Sequence, residues 1–385
     1  MKVLIIHPIQ EIHPGSTKAL LNIVEQMLAK GIDVEVAAPG KGPLTEKLCE
    51  MGIKQIQVKF CFAILWHKFS VIQLLFLLRR YILNIFAGIR LAIIVRRHHV
   101  NLIHSNVCVE DVGYIASRLT GVPHIYHIRE YLDLDFNWKH YLGKKNFVKR
   151  LWKERQYNIC ITKDIQRHNN QESNSHSCVI YDGVCTKDIG QFLPIKDPYF
   201  LYTGRLQFGK GIESVLQQFI TYCIEFPLDD IRLKIAGDTN DVQYRAYLHQ
   251  MITNAGIDSR VDWLGTRSDV YDLMAHAMAE IVPSHFEGFG FITAEAMFNG
   301  CLVIGRNIGG TREQFDNGVE LTGKEIGIRF DKDEELPAIL HDIVQNGINY
   351  YEPMILRAQQ VVKQLYTSER NAEQIFQFYQ DILGN

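Results

Sequence analysis

The alternation of apolar strands, glycine-bearing loops and helices is the feature that most restricts how this chain can fold. The pattern predicts a strand at residues 2–7, a helix at 17–30 and a second strand at 32–38. A strand, a helix and a strand at this spacing form a βαβ unit, which closes right-handed into a parallel sheet. A second parallel sheet is predicted to begin at residues 199–203, after a linker at 192–198 that contains two prolines. The sequence therefore predicts an α/β protein.

Length and composition narrow the class further. A chain of 385 residues exceeds the size at which one core keeps growing, so two domains are expected. The net charge of −2 argues against general nucleic-acid binding. The eight cysteines form no C-x-x-C pair, which predicts reduced thiols in a cytoplasmic protein rather than a disulfide or zinc framework.

One stretch, SHFEGFGFITAEAMFNG at residues 284–300, joins a short apolar strand to a helix. Gly288 and Gly290 leave the backbone bare at this turn, so free N–H groups and the positive end of a helix dipole face any anion above it. Glu287 and Glu295 bracket the turn. Because carboxylates repel phosphate but accept hydrogen bonds from hydroxyls, the turn implies a ligand with both groups. A nucleotide sugar is such a ligand.

The two glutamates and the Gly-Phe-Gly between them resemble the donor-site signature of retaining glycosyltransferases of family 4, which have the GT-B fold and include the bacterial cell-surface polysaccharide type. Two more segments follow the family's order. Upstream, TGRLQFGKGIE at residues 203–213 resembles the arginine-and-lysine clamp for the diphosphate. Downstream, NIGGTREQF at residues 307–315 resembles the Gly-Gly turn that is followed by glutamate. The similarity in pattern runs along nearly the whole chain.

This resemblance implies two Rossmann-like domains that face a central cleft. The first, residues 1–193 with a C-terminal crossover helix at about 368–385, would bind the acceptor. The second, residues 194–367, would bind a nucleoside-diphosphate sugar. The implied reaction is transfer of a hexosyl group, with retention, to a glycan or a polyprenyl-diphosphate-linked acceptor. The sequence leaves the sugar, the nucleobase, the linkage and the oligomeric state open.

The resemblance also assigns catalytic roles. Arg205 and Lys210 would stabilise the leaving diphosphate, because a forked guanidinium and an ammonium suit such a group. Glu287 would hold hydroxyls of the donor sugar and Glu295 the ribose. A histidine in the position of His127, at the carboxyl end of a strand, lies by the donor sugar in relatives. The alternatives are solvated surface cations at Arg205 and Lys210, and a structural histidine at the sheet edge.

Further donor contacts follow from the same resemblance, and they are implied at Gly15, Gly204, Thr266, Gly288, Phe289 and Gly290. No cofactor beyond the donor substrate is expected. Asp133 and Asp135 mimic the metal-binding D-x-D of a different glycosyltransferase fold. We interpret this motif as accidental, since the GT-B fold neutralises the diphosphate with arginine and lysine, and no metal site is predicted.

The segment at residues 59–100 holds basic residues among leucine, isoleucine and phenylalanine and has no acidic residue. On a helical wheel Lys68, Arg79, Arg90 and Arg97 lie within roughly 40° of one another. One interpretation is a pair of core helices with a solvated basic face. The other, which we favour, is contact with an anionic membrane or a lipid-diphosphate acceptor. It predicts a cytoplasmic protein that is peripheral at the inner face of the plasma membrane.

Two other functions remain open at this point. The same fold could serve a nucleotide-sugar epimerase or a sugar-phosphate synthase. A catalytically silent subunit that only binds sugar or lipid is the third possibility. The presence of Arg205, Lys210, Glu287 and Glu295 together argues against silence, because such a subunit has no need of all four.

Overall fold

The computed structural model describes residues 1–12, 15–65, 71–184 and 192–384, with the backbone alone for residues 71–73. The chain divides into two compact units. Met1–Gly183 and Ser368–Asn385 form the first unit, and Val184–Thr367 forms the second. The boundary thus follows Gly183, whereas the sequence placed it after residue 193.

Both units alternate strands with helices. The strands are β1 (Lys2–Ile6), β2 (Asp33–Ala38), β3 (Lys54–Gln57), β4 (Ile64–Leu65), β5 (Leu102–Ser105), β6 (His124–Ile128), β7 (Lys139–His140), β8 (Gln156–Cys160), β9 (Ser177–Val179), β10 (Tyr199–Thr203), β11 (Arg232–Ala236), β12 (Val261–Gly265), β13 (Ala279–Val282), β14 (Leu302–Arg306) and β15 (Ile328–Phe330). The helices are α1 (Gly15–Ala29), α2 (Pro43–Glu50), α3 (Val71–Arg97), α4 (Val112–Thr120), α5 (Asp133–Phe136), α6 (Lys144–Leu151), α7 (Lys163–His168), α8 (Ile212–Glu225), α9 (Val242–Ala255), α10 (Val270–His276), α11 (Phe291–Phe298), α12 (Gly309–Thr322), α13 (Leu336–Asn346), α14 (Ile348–Leu365) and α15 (Ser368–Leu383).

The main sheet of the first unit is parallel, in the order β3-β2-β1-β5-β6-β8-β9. Side chains of β1 alternate between its two faces, as the pleat requires. Val3 and Ile5 join a core with α1, α2 and α15, whereas Leu4 and Ile6 join a core with α3 and α4. Burial on both faces explains why all residues of β1 after Lys2 are apolar.

The second unit has a parallel sheet in the order β12-β11-β10-β13-β14-β15. A core cluster in this unit includes the buried aromatic residues Phe200, Phe219 and Tyr222. Each unit therefore has a helix-flanked parallel sheet of the Rossmann type, and the predicted α/β class with two such domains is confirmed.

The alternative interpretation of the segment at residues 59–100, a pair of core helices, does not fit the structure. The helical part of this segment is the single helix α3, which runs for 27 residues. Gly88 is the one glycine within α3, and it allows close packing instead of a turn, because a Cβ there would lie 2.5 Å from the Cγ2 atom of Ile115. Within the described residues, no helix is long and apolar enough to cross a membrane.

Candidate functional site

The order of strands in the second unit creates a crevice at one edge of the sheet. β10 and β13 are neighbours, but the chain proceeds from β10 towards β11 and from β13 towards β14, on opposite sides. The loops at residues 204–211 and 283–290 leave the carboxyl ends of these two strands. Ligands of open α/β sheets bind at such a switch point. Both loops carry residues that the sequence singled out.

The first of these loops presents the two predicted clamp cations. Arg205 is exposed, and within the described parts of the chain its guanidinium makes no hydrogen bond or ion pair. The backbone beneath it is fixed, since the Tyr202 hydroxyl donates to the Arg205 carbonyl at 3.1 Å and the Leu206 N–H donates to the Asp238 carbonyl at 3.0 Å. A free guanidinium on a held backbone is suited to an incoming anion.

Lys210 and Glu287 meet across the crevice. The Lys210 Nζ donates to Glu287 Oε2 at 2.7 Å, and the side chains are 28% and 15% exposed. We predicted a separate role for each residue, whereas the structure joins them as an ion pair. A partly buried ammonium and a partly buried carboxylate are thus held side by side on the loops that follow β10 and β13.

Glu295 lies on α11 and is 7% exposed. Its Oε1 accepts a hydrogen bond from the Tyr271 hydroxyl at 3.1 Å. Tyr271 comes from α10 and is itself 47% exposed. Sequence reasoning did not find Tyr271, because an isolated tyrosine at the start of a helix carries no pattern of its own.

Glycines hold the loops of the crevice together by backbone contact. A Cβ on Gly211, whose φ is +72°, would lie 2.3 Å from the Pro283 carbonyl oxygen. The Gly310 N–H donates to the Glu287 carbonyl at 2.7 Å, and a Cβ on Gly310 would lie 2.1 Å from the Phe289 carbonyl oxygen. The predicted Gly-Gly turn is the first turn of α12, and it supports the loop that carries Glu287.

The other predicted donor contacts are spread around this edge. Gly204 follows β10 at a φ of +157°, and Gly290 caps α11 at +90°. Gly288 lies between Glu287 and Phe289, half-buried. Thr266 is exposed after β12, at the edge of the sheet.

Phe289 and Gly15 are placed differently from the other predicted donor contacts. The side chain of Phe289 is 2% exposed and packs edge-on against Tyr366 at 5.4 Å. Its ring is therefore part of the core, and a ligand contact there is left to the backbone. Gly15 is the first residue of α1 in the other unit, and its neighbour Pro14 lies outside the described residues.

His127 is fully buried in the first unit, although we predicted a histidine beside the ligand. The Arg129 guanidinium donates to His127 Nδ1 at 3.2 Å, and the His104 ring stacks on it at 5.3 Å. Burial, with Arg129 nearby, lowers the pKa of His127 well below its usual value, so the ring is neutral. Among the described residues its Nε2, which is buried, has no hydrogen-bond partner. The alternative of a structural histidine fits this surrounding better.

The first unit also holds a buried ion pair that the sequence did not reveal. Arg129 pairs with Asp182, and both side chains are at most 3% exposed. The Arg129 Nε also donates to the Asn106 carbonyl at 2.9 Å, which ties the ends of β5 and β6 together. In the sequence, this ion pair is indicated only by Arg129, a charged residue directly after the predicted strand at 123–128.

Glu280 is a second missed residue, buried in the middle of β13. Its carboxyl accepts from the Thr203 N–H at 2.7 Å and from the Thr203 hydroxyl at 3.2 Å. Burial raises the pKa of Glu280 well above its usual value. In the sequence, Glu280 could have been found as a lone acidic residue in the apolar run at residues 279–282. Its carboxyl links β13 to Thr203, the residue before the loop that carries Arg205.

Asp133 and Asp135 make contacts that use their carboxylates locally. Asp133 contacts Lys144 at 3.1 Å and His168 at 2.7 Å. Burial alone would raise the pKa of Asp133, but the hydrogen bonds from these two side chains lower it overall. Asp135 accepts the Tyr131 N–H at 2.8 Å. Within the described residues no group of three or more His, Cys, Asp or Glu side chains is arranged to hold a metal ion.

Two family models match consecutive parts of the chain. Residues 15–188 match the model described as Glycosyltransferase Family 4, and residues 187–360 match the model described as Glycosyl transferases group 1. The chain belongs to the family-4 glycosyltransferases of the GT-B fold. The predicted family is therefore confirmed.

Solved structures resemble this glycosyltransferase over its full length. The Anabaena protein HepE in complex with UDP has a TM-score of 0.77 at 20% identity and covers 98% of this chain and 99% of its own. It has also been solved with UDP-glucose, with a TM-score of 0.74 at 20% identity and 98% of each chain covered. The sucrose-phosphate synthase of Thermosynechococcus elongatus has a TM-score of 0.72 at 16% identity, over 100% and 99% of the chains. At these identities the likeness shows the fold.

Curated relatives match parts of this glycosyltransferase. The N-acetyl-alpha-D-glucosaminyl L-malate synthase of Bacillus anthracis is 28% identical over 183 residues, which are 45% of this chain and 43% of the relative. An uncharacterized glycosyltransferase of Methanocaldococcus jannaschii is 27% identical over 232 residues, 57% of this chain and 60% of the relative. The matches thus span less than two thirds of either relative.

Proposed function

We propose that this protein transfers a hexosyl group from a nucleoside-diphosphate sugar to a glycan or lipid-linked acceptor, with retention, in the synthesis of a cell-surface polysaccharide. The observation that carries the proposal is the ion pair of Lys210 and Glu287, 2.7 Å apart on the loops that flank the switch point. Arg205 stands exposed on the same loop as Lys210. Cations beside a carboxylate suit a ligand that bears both phosphates and hydroxyls.

Stabilisation of the leaving diphosphate is the main catalytic contribution in this proposal. Negative charge builds on the diphosphate as its bond to the sugar breaks. Arg205 and Lys210 would bind that charge, helped by the N-terminus of α8, which begins directly after Gly211. Glu287 would hold hydroxyls of the hexose, and Glu295, positioned by Tyr271, would hold the ribose.

Retention is proposed to follow from attack on the face that the diphosphate leaves. Double displacement needs a carboxylate beneath the anomeric carbon. Glu287 is already engaged with Lys210 and is assigned to the sugar hydroxyls, which argues against that route. In the proposed route the acceptor oxygen bonds to the anomeric carbon, the bond to the diphosphate breaks, and the diphosphate takes the acceptor's proton.

The acceptor is proposed to be a glycan or a polyprenyl-diphosphate-linked sugar bound by the first unit. The protein would then work in the cytoplasm, in peripheral contact with the inner face of the plasma membrane. The exposed arginines of α3 support this placement, because they suit anionic lipid headgroups and a lipid diphosphate alike.

The test is a thermal-shift screen of nucleotide sugars, begun with UDP-glucose, followed by assays of the best donor with and without a lipid-linked acceptor. Acceptor-dependent formation of a glycoside, with the donor's anomeric configuration by NMR, is expected. An inverted product would overturn retention. Conversion of the donor sugar without an acceptor would favour the epimerase, glycosylation of a sugar phosphate would favour the synthase, and binding without turnover would favour the silent subunit.

A further inference from the structure

The helix α3 combines exposed apolar side chains with arginines and has no acidic residue. The apolar side chains that are 41–67% exposed are Leu74, Leu75, Phe76, Leu78, Ile82, Phe86, Ile89 and Ile93. Arg79, Arg90 and Arg97 of the same helix are exposed, whereas Lys68 lies outside the described residues. Neighbouring apolar side chains in such number usually mark an interaction site.

Ile82, Phe86 and Ile93 share one face of α3 with its three exposed arginines. At 100° per residue, Phe86 and Arg90 lie about 20° to either side of Arg79, and Ile82 and Ile93 within about 60° of it. The opposite face packs on α4, where Leu91 is buried, and Asn84 donates to Asp111 at 3.0 Å. As far as the described residues show, the outer face is thus exposed, while the inner face anchors the helix to the first unit.

A groove runs along this outer face between α3 and the end of β3. Its apolar floor includes Ile82 and Phe86, and its volume is about 760 Å³ with its open side included. Three cations line it, namely Lys59, Arg79 and Arg90. Within the described part of the chain, none of the three makes an ion pair or a side-chain hydrogen bond. Free cations around an apolar floor suit a ligand with an anionic head and a hydrocarbon tail.

We propose that α3 lies in the plane of an anionic lipid bilayer, with lipid phosphates held by Lys59, Arg79 and Arg90 and with Ile82, Phe86 and Ile93 inserted beneath them. A 27-residue helix would extend about 40 Å along the membrane surface. The proposal depends on the proposed function only for the lipid-linked acceptor that membrane contact would bring within reach.

Other occupants fit this face less well. A second copy of the chain across a two-fold axis would set the arginines of α3 against themselves, and like charges repel. A nucleic acid would leave Phe86 and Ile82 without an apolar partner. A bilayer satisfies both parts of the face, because phosphates and acyl chains lie at successive depths.

The experiment is co-sedimentation of the whole protein with vesicles of phosphatidylcholine, alone or with phosphatidylglycerol. Wild type is expected to bind only the anionic vesicles, and more weakly in high salt. The double variant Arg79→Glu/Arg90→Glu should bind at least about thirty-fold more weakly, because each cation near an anionic leaflet contributes about a factor of five to ten. Arg118→Glu/Lys153→Glu, which reverses two exposed cations elsewhere in the first unit, should bind as wild type does.

Two further variants test insertion itself. Ile82→Ser/Phe86→Ser should bind anionic vesicles at least about tenfold more weakly, because apolar burial is lost. In Phe86→Trp, indole emission should shift to the blue on binding and be quenched by brominated acyl chains. An indole that stays in water, or double variants that bind as wild type does, would overturn the proposal. So would a wild-type protein that binds both vesicle types equally, binds neither, or buries this face in a dimer.

The measurements distinguish a failure of the membrane proposal from a failure of the proposed function. The thermal shift with UDP-glucose is measured on the same preparations, and it reports on the second unit. Loss of vesicle binding in the α3 variants with donor binding retained supports the membrane face. Wild type that binds donor but no vesicles overturns the membrane face alone, and wild type that binds vesicles but none of the nucleotide sugars overturns the proposed function alone.

Discussion

Arg205 and Lys210 have the same charge but different surroundings, and the difference is testable. Arg205→Ala should lower kcat by two to three decades, since loss of one charge-assisted contact to the leaving group costs roughly 2–4 kcal/mol. Its melting temperature should not change, because the side chain is exposed and unpaired within the described residues. Lys363→Ala, an exposed cation on α14, is the matched control. Turnover near wild type in Arg205→Ala would end the assignment.

The two glutamates should respond differently to loss of charge. Glu295→Gln turns a pure acceptor into a mixed donor and acceptor, so a ribose diol should bind less well and the donor KM should rise. Glu287→Gln should lower kcat, because it acts nearer the anomeric carbon and also releases Lys210 from its ion pair. Steady-state kinetics with varied donor measures both. The opposite pattern would show that the two roles are exchanged.

At the scale of an element, the stability of the loop between β10 and α8 should depend on Gly211 and not on the nearby Gly209. Gly211→Ala should lower the free energy of unfolding by roughly 2–4 kcal/mol, because its Cβ would lie 2.3 Å from a backbone oxygen at a positive φ. Gly209→Ala is the control, since nothing lies within 4 Å of a Cβ there. Denaturant titration compares the variants. Equal stability would show that the loop is not held by this contact.

The same elements show what a sequence can and cannot predict. The predicted strand at residues 199–203, the short apolar strand before residue 284 and the helix that follows it agree with β10, β13 and α11, because local pattern and burial agree there. The ion pair of Lys210 with Glu287 was not predicted, since it depends on β10 and β13 becoming neighbours. The number of exposed apolar side chains on α3 was not predicted either, because apolar residues left in water look like core when only the residue types are known.

At the scale of the whole molecule, activity should not depend on a divalent metal. Arg205 and Lys210 supply positive charge at the proposed diphosphate site, so chelator should leave turnover within about twofold of the untreated enzyme. The assay is turnover after EDTA and dialysis, with manganese or magnesium added back. Full loss that either ion restores would favour a metal at Asp133 and Asp135.

The first unit is completed by α15, whose Ile375 and Tyr379 are buried in the same core as Leu20 and Ile23 of α1. On the ribosome this helix emerges only after residues 184–367, the whole of the second unit, have been made. At about 5–20 residues per second, that delay is roughly 10–40 s. During this time the surface of α1 that α15 will cover stays exposed on the nascent first unit. The second unit can therefore complete its fold before the first unit does.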